Sequence, residues 1–233
     1  MKILIWKDSI ISLRSLWGLI ILITIIGSSP TLFIAWQLVE VTNDKELFSI
    51  LLRNNFLFFP AMLIPMIGTV VFQTTLNEDR KSKALQILVA DGIISEYIWI
   101  SKLITSIIIS YTFTFISSMI ALIFSKILFQ VWVSFDVLSL IIMIIIIPII
   151  SFTVLSIIGV IMWSSKQGHT LAGFIPVFSY IGCMYLNMYI MENNLVPKTG
   201  LILLLFAVSI IIFLVNILIV KNLSKEYIIN MQI

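Results

Sequence analysis

The sequence predicts an all-α integral membrane protein with six transmembrane helices. Hydrophobic residues make up 61% of its 233 positions and charged residues only 11%, whereas soluble domains average about 45–50% and about 25%. Six uncharged stretches are each 22–29 residues long, and about 20 apolar residues allow a helix to cross the hydrocarbon core. Runs such as Leu140–Ile145 are apolar throughout, which excludes the alternating pattern of a transmembrane barrel strand.

The elements follow one another without a linker or a soluble domain between them. Residues 1–14 mix isoleucine, leucine and Trp6 with Lys2, Lys7, Asp8 and Arg14. They are expected to form an N-terminal interfacial helix with Trp6 at headgroup depth, or alternatively a plain extension of the first span. The spans are predicted at about residues 15–39, 56–76, 103–125, 137–163, 169–190 and 200–220. Residues 1–233 are therefore expected to form a single transmembrane domain.

Lys and Arg are distributed unevenly between the two sides of this topology. Ten lie on the side that holds both termini, and four lie on the other side. Because short cytoplasmic loops carry an excess of Lys and Arg, we expect both termini in the cytoplasm and a multi-pass protein in the plasma membrane. A cleaved signal peptide is disfavoured, because the first apolar run exceeds the roughly 7–15 residues typical of such segments.

The residue inventory leaves little material for catalysis. The chain has one His and one Cys, so it cannot form a disulfide framework or a cysteine or multi-histidine metal site. It contains no Gly-x-x-x-x-Gly-Lys-Ser/Thr phosphate loop. We therefore expect no enzyme activity from the chain alone, no cofactor bound by it and no nucleic-acid partner.

The predicted spans contain no Asp, Glu, Lys or Arg. Ion-coupled carriers commonly hold a charged residue within a span. We therefore expect the chain to lack a buried ionisable site, which disfavours a carrier. The most polar feature of the third span is a stripe of four residues, spaced by four, on one helix face: Ser106, Ser110, Thr114 and Ser118. The stripe is either a packing seam between helices or the mildly polar wall of a substrate path or dimer seam.

The most informative segment connects the second and third spans. Residues 77–83 are rich in mixed charge, residues 84–91 form a short amphipathic stretch, and Gly92 breaks the pattern before residues 93–102 lead into the third span. A charged turn, a short helix, a glycine break and a re-entrant helix would together form a knob that projects from the bilayer. A simple positively charged loop with an interfacial helix is the alternative.

This segment resembles the corresponding one in permease subunits of ABC-2 type ABC transporters. The family pattern reads roughly Glu-Arg-x-x-Gly-Thr-Leu-Glu-x-Leu-x-Ala-Thr-Pro, with Gly-Lys before the third span. The chain matches it at Leu85, Leu88, Ala90 and Lys102, with Gln86 in place of the glutamate. It departs from the pattern at Lys83, Ala84, Asp91-Gly92 and Ser101. A second stretch, Leu155 to Pro176, resembles the family's fourth span, cytoplasmic turn and Gly-rich start of the fifth span.

The resemblance implies partners for the chain. Such permeases dimerise with a second copy or a paralogue, and each half docks a separate ATP-binding cassette ATPase that binds ATP and Mg. The segment between spans two and three would be the coupling helix. The residues then expected to act in ATPase coupling are Arg80, Leu85, Gln86, Ile87, Leu88, Ala90 and Asp91. Leu85 and Leu88 would form the apolar docking patch.

The charge-free spans favour a hydrophobic or amphipathic cargo, exported from the cytoplasm or the membrane, in contact with membrane lipid. A peptide, such as an antimicrobial peptide, is the leading candidate. The rival functions are an ion-coupled carrier or channel and a non-transporting membrane anchor or sensor.

Overall fold

The computed structural model describes residues 1–18, 21–22, 45–130, 135, 142–164, 174–175 and 199–222. Residues 2–18 form helix α1, which is followed by α2 (Lys45–Lys81), α3 (Ala84–Ala90) and α4 (Ser95–Phe129). A π-helical turn (Ile142–Ile146) leads into α5 (Ile147–Ser164), and α6 comprises Thr199–Asn222. No strand occurs among these residues. The predicted all-α class is therefore confirmed for the described part of the chain.

Two described helical segments, Ser95–Leu128 and Met143–Ser164, are long and apolar enough to cross a membrane. They contain the predicted third span and most of the predicted fourth. A shorter apolar segment, Ala207–Asn222, overlaps the predicted sixth span. The predicted spans at 15–39 and 169–190 lie largely outside the described residues.

The π-helical turn has a local cause in the sequence. Pro148 has no N–H to donate to the carbonyl of Ile144, and its ring crowds that carbonyl. The backbone widens into a π turn that contains Ile144 and ends two residues before the proline. α2, in contrast, is helical through Pro60 and Pro65.

The hydrophobic core lies where α2, α4, α5 and α6 meet. Trp99 of α4 is fully buried, and its ring centre lies 6.3 Å from that of Phe213 in α6. Gly159 of α5 permits this packing, since a Cβ there would lie 2.9 Å from Trp99 Nε1 and 3.1 Å from the Phe72 ring. The core therefore combines large aromatic side chains with one point of very close helix approach.

α2 and α4 form the most extensive helix pair among the described elements. The two helices run antiparallel: the carbonyl of Thr75 lies beside the ammonium group of Lys102, and Pro60 shares a small cavity with Thr114 and Ser118. This arrangement brings the charged end of α2 next to the charged start of α4.

Candidate functional site at the junction of three helices

Lys102 is the centre of a buried ion cluster where α1, α2 and α4 meet. Its side chain is fully buried. The ammonium group donates to Asp79 Oδ2 at 2.5 Å, to the Thr75 carbonyl at 3.2 Å and to Asp8 Oδ2 at 3.4 Å. A lysine has three N–H donors, so these partners use its full donor capacity.

Lys7 and Asp8 of α1 complete the cluster. Lys7 Nζ donates to Asp79 Oδ1, so both oxygens of the Asp79 carboxylate are paired. Asp8 is 1% exposed, and its Oδ1 has no hydrogen-bond partner among the described residues. The four side chains bear two positive and two negative charges, and the ion cluster (Lys7, Asp8, Asp79 and Lys102) is therefore neutral when all four are ionised.

Burial determines the energetics of the ion cluster. Removal of a charge from water costs several kcal/mol, which is offset only where the charge keeps well-placed partners. Burial raises the pKa of Asp8, an effect that the charge of Lys102 opposes and the charge of Asp79 reinforces. Rotation of α1 would separate Lys7 and Asp8 from their partners, so the cluster holds α1 in one orientation.

Arg80, the residue after Asp79, links α2 to α5. Its guanidinium donates to the Met162 carbonyl at 3.2 Å. That carbonyl belongs to the last turn of α5, where carbonyl groups have no partner within the helix. Partial burial lowers the pKa of Arg80. Asp79 and Arg80 together attach the end of α2 to three other helices, directly before α3.

α3 is a separate short helix because left-handed residues bound it. Lys83, at its N-terminal boundary, has φ 57° and ψ 13°, and Gly92 beyond its C-terminus has φ 82°. Glycine adopts this conformation freely, whereas another residue there costs about 1–2 kcal/mol. Lys83 therefore occupies a backbone conformation that glycine would adopt at lower cost.

α3 turns its leucines into the protein. Leu85 is 2% exposed and belongs to the core together with Val89, and Leu88 packs against the same core. Leu85 is therefore not exposed on the surface of the described chain, and Leu88 is only partly exposed, while the role of both residues in ATPase coupling stays a prediction. Both side chains are needed for packing of α3 onto the helix bundle.

The outer surface of α3 carries different residues. Ile87 is 58% exposed, and Ile94 and Tyr97, at the start of α4, are 49% and 53% exposed. Gln86 is half-buried, and Ala90 and Asp91 are exposed. Of the seven residues predicted for ATPase coupling, Ile87 is the large apolar one that is mainly exposed.

The polar stripe of α4 is buried within the chain. Each of its members is at most 2% exposed: Ser106, Ser110, Thr114 and Ser118. The first two donate to carbonyl groups of α4 itself at 2.8 and 3.2 Å. The hydroxyl groups of the last two have no partner among the described residues and line the small cavity beside Pro60. The stripe thus faces neighbouring helices of the same chain.

Sequence reasoning missed the ion cluster. It placed Lys7 and Asp8 on the polar side of an interfacial helix and concluded that the chain has no buried ionisable site, which is wrong. The sequence offers only two local features, neither of which indicates burial: Asp8 is the only acidic residue in the first 39, and Lys102 directly precedes an apolar run. A second missed contact joins α6 to α5, where Asn216 Nδ2 donates to Ser156 Oγ at 2.8 Å.

Nothing in the described part of the chain resembles a metal centre: no three His, Cys, Asp or Glu residues come together in a group that could hold an ion. Comparison with protein-family models, with curated proteins and with solved structures finds no match. Function is therefore inferred from the residues and contacts themselves.

The raised pKa of Asp8 predicts a pH-dependent contribution to stability. A carboxyl whose pKa in the folded state exceeds the unfolded value of about 3.9 contributes most at low pH, and this contribution is lost as the pH rises through the folded-state pKa. Asp8→Asn cannot ionise. We expect the melting temperature of Asp8→Asn in detergent to rise relative to that of the parent as the pH is raised from about 4. The control is Asp91→Asn, at an exposed position; a constant difference between Asp8→Asn and the parent would contradict the prediction.

Proposed function

We propose that this chain is the permease subunit of an ATP-driven exporter similar to the ABC-2 type. In this proposal it crosses the plasma membrane six times, keeps both termini in the cytoplasm and pairs with a second copy or a paralogue. A separate ATP-binding cassette ATPase binds ATP and Mg. The observation that carries the proposal is α3, a helix of seven residues. It joins two long helices, and the turn before it is attached to neighbouring helices.

The contacts of α3 suit a helix that transmits movement from a partner protein to the helix bundle. Leu85 holds α3 to the core, and Asp79 and Arg80 hold the preceding turn to α1, α4 and α5. A partner that displaces α3 would therefore displace the ends of α2 and α4 with it. Rigid-body movement of packed helices is an established way to switch a protein between two states. The sequence has no phosphate loop, so in this proposal ATP hydrolysis occurs on the partner chain.

A hydrophobic or amphipathic cargo, with a peptide as the leading candidate, suits the outer surfaces of the bundle. The exposed side chains of α4 and α6 include many large apolar ones, among them Ile116, Met119, Ile123, Ile211 and Leu214. A highly charged cargo would lose its hydration along such surfaces at considerable cost.

Docking through α3 predicts that Ile87→Asp separates the permease from its ATPase without unfolding it. An aspartate at this exposed position remains hydrated in the free chain, but becomes an unpaired buried charge in an ATPase cleft, which costs several kcal/mol. The tagged chain is purified from cells that also express a cassette ATPase encoded beside it. We expect recovery of the ATPase to fall about tenfold or more.

Ile127→Asp is the matched control, because Ile127 is also exposed, at 68%, and lies at the opposite end of α4. This variant should recover as much ATPase as the parent, with the same rate of ATP hydrolysis. Equal recovery by Ile87→Asp and the parent would exclude α3 as the docking element. A parent that binds no cassette ATPase would overturn the exporter itself.

Asp8 favours a second candidate, a proton-coupled carrier. Buried acidic residues that gain and lose protons are typical of such carriers. Asp8→Asn would abolish uptake or efflux driven by a pH gradient, whereas an exporter would keep its ATP-dependent transport. A non-transporting anchor or sensor would show neither activity.

A further inference from the structure

The exposed face of α1 is apolar, whereas the exposed face of a helix in contact with water is usually polar. Five large side chains, here called the α1 stripe, are between 44% and 83% exposed: Ile3, Trp6, Ile10, Leu13 and Trp17. Their spacing of three and four residues places them within about 80° of arc on a helix that turns about 100° per residue. Asp8 and Ser12 lie on the opposite side and are at most 1% exposed.

The ion cluster holds this inverted orientation. Lys7 pairs with Asp79 of α2, and Asp8 pairs with Lys102 of α4. α1 cannot roll the stripe inward without breaking both pairs. Because large apolar side chains are disfavoured in water, a stripe held outward in this way indicates a partner that covers it.

The charges beside the α1 stripe identify that partner. Lys2 and Arg14 are exposed and, at about 100° per residue, lie on the two edges of the stripe. Asp8 is the only acidic residue of α1 and is buried, so the exposed charged side chains of α1 are all basic. A stripe of aliphatic residues and tryptophan with basic edges is typical of helices that lie in a bilayer interface and bind anionic lipid.

We propose that the α1 stripe docks on an acidic phospholipid leaflet. Its five side chains enter the boundary between headgroups and acyl chains, and Lys2 and Arg14 pair with anionic headgroups. A second copy of α1 is the rival occupant, because the spacing also suits a helix pair. Such a pair would bring basic edges together without exposed carboxylates of α1 to neutralise them. The inference extends the interfacial helix that the sequence predicts, because it adds which side chains enter the leaflet and which headgroups they select, and it requires a membrane but no ATPase.

The test uses the full chain in lipid nanodiscs and the fluorescence of Trp6. The discs contain phosphatidylglycerol and phosphatidylcholine in equal amounts, with bromine on the acyl chains of one lipid or the other. The signal of Trp6 is taken as the difference between the parent and Trp6→Phe, which changes an exposed side chain. We expect brominated phosphatidylglycerol to quench this signal at least about twofold more strongly than brominated phosphatidylcholine does.

Removal of the basic edges should abolish the lipid preference but not the contact. Lys2→Gln combined with Arg14→Gln should therefore equalise quenching by the two lipids while both still quench. The control removes two exposed lysines near α3, Lys81→Gln with Lys83→Gln, and should keep the preference. The melting temperature of each double variant should match that of the parent, which separates lipid contact from a structural role.

Each other outcome overturns part of the proposal. Equal quenching of the parent by both lipids would overturn the preference for acidic lipid. Absence of quenching by either lipid would overturn docking on the leaflet. Absence of quenching together with cross-linking of two chains through Ile10→Cys would assign the α1 stripe to a second copy. None of these outcomes depends on recovery of an ATPase, which tests the proposed function separately.

Discussion

Lys102→Ala is expected to lower the free energy of unfolding by about 3–5 kcal/mol, because it removes one partner from a buried ion cluster. Lys102 is fully buried and is the cation that contacts both Asp8 and Asp79. Without it, two buried carboxylates share the single charge of Lys7. The measurement is reversible unfolding of the purified protein in detergent, followed by fluorescence.

Lys221→Ala, a change to an exposed lysine in the last turn of α6, is the matched control and should alter stability by no more than about 0.5 kcal/mol. The addition of Asp79→Asn to Lys102→Ala should restore part of the lost stability, because it leaves one buried carboxylate, Asp8, instead of two for the single charge of Lys7. If Lys102→Ala were as stable as the parent, or if the two changes were simply additive, the ion cluster would not be what ties α1 to α2 and α4.

Gly159→Leu is expected to destabilise the protein by about 3 kcal/mol or more, at or beyond the upper end of ordinary overpacking. A Cβ at this position would lie 2.9 Å from Trp99 Nε1 and 3.1 Å from the Phe72 ring. Both rings are fully buried, so they have little room to move away. The remaining carbons of leucine would force α5 away from α2 and α4.

Gly18→Leu is the control for the helix propensity of the new residue. Gly18 is also helical, and a Cβ there has no atom within 4 Å. This variant should be neutral or stabilised by up to about 1 kcal/mol, because glycine is a poor helix former. Thermal unfolding of the two variants in the same detergent checks the prediction. Similar losses of stability in both would contradict the close packing of α5 against Trp99.

The sequence predicts the approximate positions of the described helices but not where they begin: α2 begins at Lys45 and α4 at Ser95, whereas the spans are predicted from about residues 56 and 103. The apolar stretch after Lys102 indicates α4, and the charges before Ala84 together with Gly92 indicate a short helix between α2 and α4. These features depend only on the segment itself, because a helix forms its backbone hydrogen bonds within one segment and the apolar run can be read directly from that segment.

The sequence predicts poorly which way the short helices face. For α3, one-turn spacing correctly groups Leu85 with Leu88, but does not say whether that face meets a partner or the core of the same chain. In α1, the interfacial-helix prediction places Trp6 at the bilayer, but it does not say that Asp8 on the other side of the helix meets Lys102 of α4. The structure turns Leu85 and Asp8 inward and leaves Ile87 and Trp6 outside.

By itself, then, the sequence determined the helical class of the described chain and the approximate positions of its long apolar helices, because the length and composition of an apolar run are properties of each segment alone. Only the tertiary structure decided that Asp8 is buried against the helix bundle and that Leu85 of α3 packs into the core of the same chain. A buried charge is tolerated where partners from other helices converge on it. Asp8 finds Lys102 and Asp79 at such a point, and no pattern within α1 reveals that they are there.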